Sequence, residues 1–165
     1  MKPIILIGFM GVGKTSIGKK LAKKLSFNFL DTDKWIENQV GKTISEIFNE
    51  NGESFFREWE RKSIEHFRKE ENIVISTGGG LPCFHDNMQV LNSIGTTIYL
   101  KSSTERITEQ LKLSRIKRPL IEGKSDQELE TYIKNKVQER EKHYLQASHV
   151  LTPDRTILDS IVALI

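Results

Sequence analysis

The run Gly8-Phe9-Met10-Gly11-Val12-Gly13-Lys14-Thr15 brings bare backbone, an ammonium group and a hydroxyl together in the order that phosphate chemistry requires. Glycines let backbone N–H groups close around phosphate oxygens, and the positive end of a following helix adds to the attraction. Lys14 can then reach the β- and γ-phosphates, and the Thr15 hydroxyl can ligate Mg²⁺. Gly11, Val12, Gly13, Lys14, Thr15 and Ser16 are therefore the candidate contacts for the phosphates of a nucleotide such as ATP. From average residue usage the pattern arises by chance in roughly one chain of this length in a few hundred. It establishes a nucleotide phosphate site and no reaction.

Two further groups of residues carry polar chemistry. Asp31 and Asp33 flank Thr32 at the end of a predicted strand. Positions i and i+2 of a strand share a face, so both carboxylates can point at the crevice beyond the strand ends. The competing use is structural: an aspartate before a helix accepts hydrogen bonds from its first N–H groups. Gly78, Gly79 and Gly80 stand just past another predicted strand, where bare backbone can come close to a ligand and donate N–H groups to it. Many P-loop enzymes carry a metal-side aspartate at the end of that strand; Ser76-Thr77 stands there instead.

The elements that must hold these groups alternate in type. Ile4 to Ile7 reads as a strand buried on both faces, ending in Gly8. The helix after the glycine loop has Ile17, Leu21 and Leu25 on one stripe, with Lys19, Lys20, Lys23 and Lys24 on the wet side. Phe27 to Leu30 is the second predicted strand, followed by a helix carrying Trp35, Ile36 and Val40 and stopped by Gly41. Thr43 with Glu46 is a capping box opening a helix that Gly52 ends, and a longer helix runs from about Glu53 to Glu70, burying Phe56, Trp59 and Phe67. Ile73 to Ile75, Thr97 to Leu100 and His149 to Leu151 are the remaining strands, and Ser102 with Glu105 and Ser125 with Glu128 start the intervening helices. This order predicts a mostly parallel five-stranded α/β sheet covered on both sides, with ligands at the carboxyl ends of the strands. The basic stretch 114–124, with Arg115, Lys117, Arg118, Pro119 and Gly123, has neither period and reads as a mobile flap.

Composition narrows the class. The chain has 165 residues, 37% hydrophobic and 28% charged, which fits one soluble domain. Its net charge of +3 is spread over many helical faces, which disfavours nucleic acid as a partner. Cys83 is a lone cysteine, and His66, His85, His143 and His149 lack zinc-ligand spacing, so no disulfide or structural metal is expected. No apolar run approaches the ~20 residues of a membrane span. The expectation is a cytoplasmic protein without nucleic-acid or membrane partners, and a monomer by default.

The P-loop is joined by Asp31-Thr32-Asp33, Phe56-Arg57-Glu58 with Glu60, Ser76-Thr77-Gly78-Gly79-Gly80, Arg118-Pro119-Leu120, and Arg140 with Tyr144. In this order and at these separations the set resembles the shikimate kinases over essentially the whole chain. The resemblance implies a three-layer αβα P-loop kinase fold in one domain, 1–165, with an acceptor-binding region at about 33–60 and a flexible lid at about 114–124. It implies transfer of the γ-phosphoryl of MgATP to the 3-hydroxyl of shikimate, a step toward chorismate and the aromatic amino acids. Asp33 would contact the acceptor hydroxyls and take the proton, while Asp31 would lie near the Mg²⁺ bound by Thr15.

Arg57, oriented by Glu60, would hold the shikimate carboxylate through two parallel donors, with Arg140 and Gly78, Gly79 and Gly80 also at the acceptor. Arg118 would close over the phosphates and act in catalysis beside Lys14 and Asp33. Phe48 and Phe56 could border the acceptor or belong to the core, and Arg155 could line the adenine pocket. Lys142 stands where family members commonly have proline, which predicts a straighter helix there. The rival readings are a gluconate or nucleoside monophosphate kinase, and a nucleotide-binding regulatory module without turnover. Arg57, the triple glycine and the Asp31-Thr32-Asp33 run favour the compact cyclic acid; Lys14, Thr15, Asp33 and Arg118 together favour turnover.

Overall fold

In the computed structural model, which describes residues 1–113, 121 and 123–165, strands and helices alternate from end to end. The strands are β1 (Ile4–Ile7), β2 (Asn28–Asp31), β3 (Ile73–Ser76), β4 (Thr96–Leu100) and β5 (His149–Leu151). They form one sheet of order β2-β3-β1-β4-β5 in which every pairing is parallel, from Ile4 opposite Val74 and Thr96 to Leu100 opposite Leu151. The helices are α1 (Lys14–Leu25), α2 (Thr32–Val40), α3 (Ile44–Phe67), α4 (Asn87–Ile94), α5 (Thr104–Leu113), α6 (Asp126–Tyr144) and α7 (Ile157–Val162).

The order explains where a ligand can sit. The chain leaves β1 toward β2 on one side and returns from β3 toward β4 on the other, and right-handed crossovers therefore place α1 and α4 on opposite faces. The result is the expected αβα sandwich, with a crevice at the carboxyl ends of β1 and β3, where the connections diverge. β1 and β3, buried at every residue, need apolar side chains on both faces, whereas the edge strands β2 and β5 are only partly covered.

Several local signals act as read from the sequence. Thr43 with Glu46 and Ser125 with Glu128 are complete capping boxes, and Gly41 stops α2 in a left-handed conformation. Gly52, at φ 81° and ψ 174°, interrupts α3 where a helix end is expected, and the second half ends at Phe67 rather than near Glu70. Phe56 and Phe67 are buried, but Trp59 is half-exposed. The cap of α5 is Ser103, whose hydroxyl accepts the Arg106 N–H at 3.2 Å, not Ser102. β2 lies one residue later than expected, so Asp31 is its last residue and Asp33 already belongs to α2. The strand argument for a shared face therefore fails for this pair. α6 runs unbroken through Lys142.

Among the described residues, apolar side chains gather in two clusters. The larger sheathes the sheet. The smaller centres on Ile36, Ile47 and Phe56, with Trp35, Val40, Ile44, Phe48, Phe55 and Trp59 around it, and joins α2 to α3 apart from the sheet. Among the described residues no helix is long and apolar enough to cross a membrane.

Candidate active site

The loop from Gly8 to Gly13 joins β1 to α1 at the centre of the crevice. Gly11 and Gly13 take φ of 83° and 95°, a region that L side chains rarely enter, so the loop can curl on its own backbone. Gly13 caps α1 without a side chain, which leaves the first-turn N–H groups of the helix open to an anion. Lys14 is buried, and its Nζ donates to the Gly8 and Phe9 carbonyls at 2.7 and 2.8 Å, so the ammonium arcs back over the loop.

Beside the loop, hard oxygen atoms converge. Thr15 Oγ1 donates to Asp31 Oδ2 at 2.7 Å and lies 3.4 Å from Ser76 Oγ. Asp31 also caps α2, its other oxygen accepting the Asp33 and Lys34 N–H groups at 3.1 and 3.3 Å. The cap fixes the carboxylate that meets Thr15. Two hydroxyls and a carboxylate at the phosphate loop are the donor type that Mg²⁺ selects, so these residues fit that ion. Thr77 turns away, its hydroxyl donating to the Leu6 carbonyl at 3.1 Å.

A cavity of about 400 Å³ opens from Gly11, Gly13 and Ser16 toward Arg106, Pro153 and Arg155. Arg155 thus lies in the same cavity as the phosphate loop. Arg106 is the residue that sequence reasoning missed there; its Nη1 donates to the Pro153 carbonyl at 2.9 Å, closing one end of the cavity. The available signal was its place in the first turn of the helix after β4, which faces the strand-end crevice.

Along the crevice, Gly78 and Gly80 make room for charged side chains, while Gly79 backs on the P-loop, where a Cβ would lie 3.3 Å from the Met10 backbone nitrogen. A Cβ on Gly78 would lie 2.5 Å from Asp33 Oδ1, one on Gly79 3.5 Å from Arg140 Nη1, and one on Gly80 2.5 Å from Arg57 Nη1. The Gly78 N–H donates to Thr32 Oγ1 at 2.8 Å and so is already engaged within the fold. Tyr144 Oη donates to the Gly79 carbonyl at 2.6 Å, and burial holds this phenol well above its usual range, so it remains a donor.

Arg57 and Arg140 are both buried, on α3 and α6, and flank this glycine run. Arg57 Nη1 donates to Glu60 Oε2 at 2.7 Å, as expected; its Nε and Nη2 donate to Glu53 Oε1 at 3.2 and 2.9 Å, a contact the sequence reading lacked. Burial pushes the Glu60 carboxyl up to about 7, against the opposing pull of the Arg57 charge. Phe48 and Phe56 pack against one another with centroids 4.9 Å apart, within the smaller apolar cluster. Arg115, Lys117 and Arg118 lie outside the described residues, as does most of the 114–124 segment.

Comparison with known proteins settles the family. The shikimate kinase family model matches residues 10–164. The chain belongs to the shikimate kinase family. A shikimate kinase of Azobacteroides pseudotrichonymphae is 47% identical over 98% of this chain and 96% of its own. One from Parabacteroides distasonis is 42% identical over 98% and 94%. Among solved structures, the shikimate kinase of Bacteroides thetaiotaomicron superposes with a TM-score of 0.91 at 40% identity, covering 99% of this chain and 95% of that one. A shikimate kinase from Acinetobacter baumannii, solved in complex with shikimate, gives 0.90 at 30%, over 99% and 92%. Within a shikimate kinase framework, the P-loop and the glycine-lined arginine pair border one crevice and adjoin where Gly79 meets the Met10 backbone, the proximity a two-substrate transfer needs.

Proposed function

We propose that this chain transfers the γ-phosphoryl group of ATP to the 3-hydroxyl of shikimate, giving 3-phosphoshikimate and ADP on the route to chorismate and the aromatic amino acids. The observation that carries the reading is the pairing of a P-loop with a buried, acid-oriented arginine across one crevice: Lys14 and Thr15 on one wall, Arg57 with Glu60 on the other. The resemblance in sequence and fold to a shikimate kinase solved with shikimate supports the choice of acceptor.

Each residue has a part in this reading. Backbone N–H groups of Gly11, Val12 and Gly13, with Thr15 and Ser16 at the start of α1, hold the β- and γ-phosphates, and Lys14 swings from the loop carbonyls onto their oxygens. The adenine side lies in the cavity with Arg106, Pro153 and Arg155. Thr15 and Asp31 would hold Mg²⁺, which supplies charge neutralisation for the phosphates when bound. Arg57 and Arg140 bind the acceptor carboxylate, with Gly79 and Gly80 keeping the approach open and Gly78 keeping room for Asp33.

Asp33 orients the 3-hydroxyl and accepts its proton as the oxygen attacks the γ-phosphorus. The bond from that phosphorus to the β,γ-bridging oxygen breaks, and ADP leaves with the bonding electrons. Arg118, on a lid at about 114–124, arrives over the transferring group; the activity is otherwise mainly positioning and charge neutralisation in a site closed to water. As part of the same proposal, the enzyme is a single-domain cytoplasmic monomer with its acceptor region at about 33–60, whose ligands are small molecules.

The test is ADP release by the purified protein with Mg²⁺ and ATP, comparing shikimate, gluconate, a nucleoside monophosphate and no acceptor. Turnover dependent on shikimate is the expected result. A response to gluconate or a nucleotide instead, or ATP binding with no turnover in any lane, would overturn the acceptor or the activity respectively.

A further inference from the structure

The loop that follows the triple glycine is held more tightly than a connection to α4 requires. The Cys83 N–H donates to the Gly80 carbonyl at 2.8 Å, the Asn87 N–H to the Phe84 carbonyl at 3.2 Å, and Asn87 Nδ2 to the Leu81 carbonyl at 2.9 Å. At its far end, Asp86 Oδ1 accepts from Arg61 Nη1 at 2.6 Å, which ties the loop to α3 one turn beyond Arg57. Between these ties stands Phe84, half-buried, with its ring centroid 3.8 Å from Arg57 Cζ. The Phe56 ring, on α3 itself, is farther away at 5.3 Å.

A guanidinium presents all its N–H groups in one plane, so whatever fixes that plane fixes the direction of the donors left for a ligand. Glu53 takes Nε and Nη2 and Glu60 takes Nη1, which sets the position of the group within its plane. Both acids lie at its edges, so they restrain tilt only through the angles of those hydrogen bonds. A ring 3.8 Å from Cζ bears on the face instead, where it resists tilt, excludes water and adds a cation–π attraction. The bare Cα of Gly80 leaves the terminal nitrogens accessible, because a Cβ there would lie 2.5 Å from Nη1 and 2.9 Å from Nη2.

We propose that Phe84 is a positioning residue for acceptor recognition: stacked on Arg57 and braced by the Arg61–Asp86 tie, it holds the guanidinium plane at the angle that receives the acceptor carboxylate. This rests on the assignment of Arg57 to the shikimate carboxylate. A phenyl ring takes no part in bond making, so its influence is confined to the acceptor and, within the acceptor, to the carboxylate.

The experiment is steady-state kinetics of Phe84→Leu and Phe84→Tyr beside the wild type, with shikimate as acceptor and its carboxamide as competitive inhibitor. Phe84→Leu should raise KM for shikimate roughly five- to tenfold, leave kcat and KM for ATP within about twofold, and leave carboxamide inhibition within about twofold, because only the charged ligand uses the fixed guanidinium. Phe84→Tyr, which keeps the ring, should restore KM to within about twofold of wild type. Equal losses for acid and amide, or losses shared with kcat and ATP, would reduce Phe84 to packing; no loss at all would leave the ring idle. If thermal melting shows Phe84→Leu unfolded, Phe84→Met keeps the bulk without the ring and is read by the same criteria. A wild type that ignores shikimate overturns the acceptor assignment, and this proposal with it; a wild type that turns shikimate over beside an unaltered Phe84→Leu overturns the role of Phe84 alone.

Discussion

The two walls of the crevice are built by different means. The phosphate wall is local in sequence, made mostly of backbone, and rooted in β1, whose side chains are at most 1% exposed. The carboxylate wall draws on α3, the loop after β3 and α6; its helix α3 rests on the smaller Ile36–Ile47–Phe56 cluster as well as joining the sheet's core through Ile64 and Phe67. Backbone donors need no counter-charge and do not titrate, so the first wall is insensitive to its surroundings. Buried arginines need acids beside them, and those acids bring a pH dependence and a demand for exact orientation. One wall is a property of a loop; the other is a property of a network.

The largest effect expected tests the one cationic side chain of the first wall's loop. Lys14→Ala should lower kcat about a thousandfold in an ADP-release assay, the scale for removing one electrostatic contact to a developing transition-state charge. Retention of near-normal turnover would remove the P-loop from the mechanism. Next comes Arg57→Ala, which should raise KM for shikimate about a hundredfold while KM for ATP stays within about twofold. Because Glu60 is then buried without its cation, the variant should also lose roughly 2–3 kcal/mol of stability in urea unfolding. Equal losses for both substrates would mean that the two walls are not separate recognition sites.

The same division decides what the sequence could reveal. Strand alternation, the capping boxes at Thr43 and Ser125 and the stop at Gly52 were legible because each depends on neighbours within a few residues. The P-loop was legible for the same reason. Arg57, Arg140 and the triple glycine were singled out, but what each glycine lies against, Asp33 for Gly78, the Met10 backbone for Gly79 and Arg57 for Gly80, is a tertiary fact that no local pattern encodes. Glu53 escaped notice although it stands four residues before Arg57, since i,i+4 acid–base pairs are common on exposed helices and only burial of the arginine gives this one weight. Arg106 and Phe84 lie far in sequence from the groups they meet, Pro153 and Arg57. Asp31 and Asp33 were picked out by the family resemblance and by an argument from strand periodicity; of the two uses weighed for the residues themselves, the structure supports the helix cap, made by Asp31, and not the shared strand face.

Network character makes a pH prediction for the second wall alone. Glu60 holds its proton up to about pH 7 in the fold because it is buried, with Arg57, Asp33 and Arg140 the charges around it. Unfolded, it would release that proton near the ordinary glutamate value. Lowering the pH through the interval between these values therefore stabilises the fold through this group, while replacing the charged partner of Arg57 with a neutral one. Between pH 8 and 6, shikimate affinity should fall a few-fold as the glutamate protonates, and ATP affinity should change less. Glu60→Gln should flatten the acceptor profile across that range and remove its share of the stability gain, both read against wild type under the same buffers. A profile unchanged by Glu60→Gln would place the titrating group elsewhere.

The smallest effect concerns the hinge between the halves of α3. Gly52 sits at φ 81° and ψ 174°, conformational territory that is essentially glycine's, yet a Cβ built there meets nothing within 4 Å. Gly52→Ala therefore meets a backbone cost without a steric one, about 1–3 kcal/mol if the break is kept. Its alternative is to straighten α3, which would carry Phe56, Arg57 and Glu60 away from the half that bears Ile47 and Phe48. Either way the disturbance enters first through the smaller cluster, which flanks the break, before it reaches Ile64 and Phe67 at the far end of α3. Melting should report a lower midpoint, KM for shikimate should rise about two- to threefold, and KM for ATP should hold, an effect well below that of removing Arg57 itself. A loss of ATP affinity as large as that for shikimate would show strain passing from α3 into the P-loop, and the separation of the two walls would then be wrong at its root.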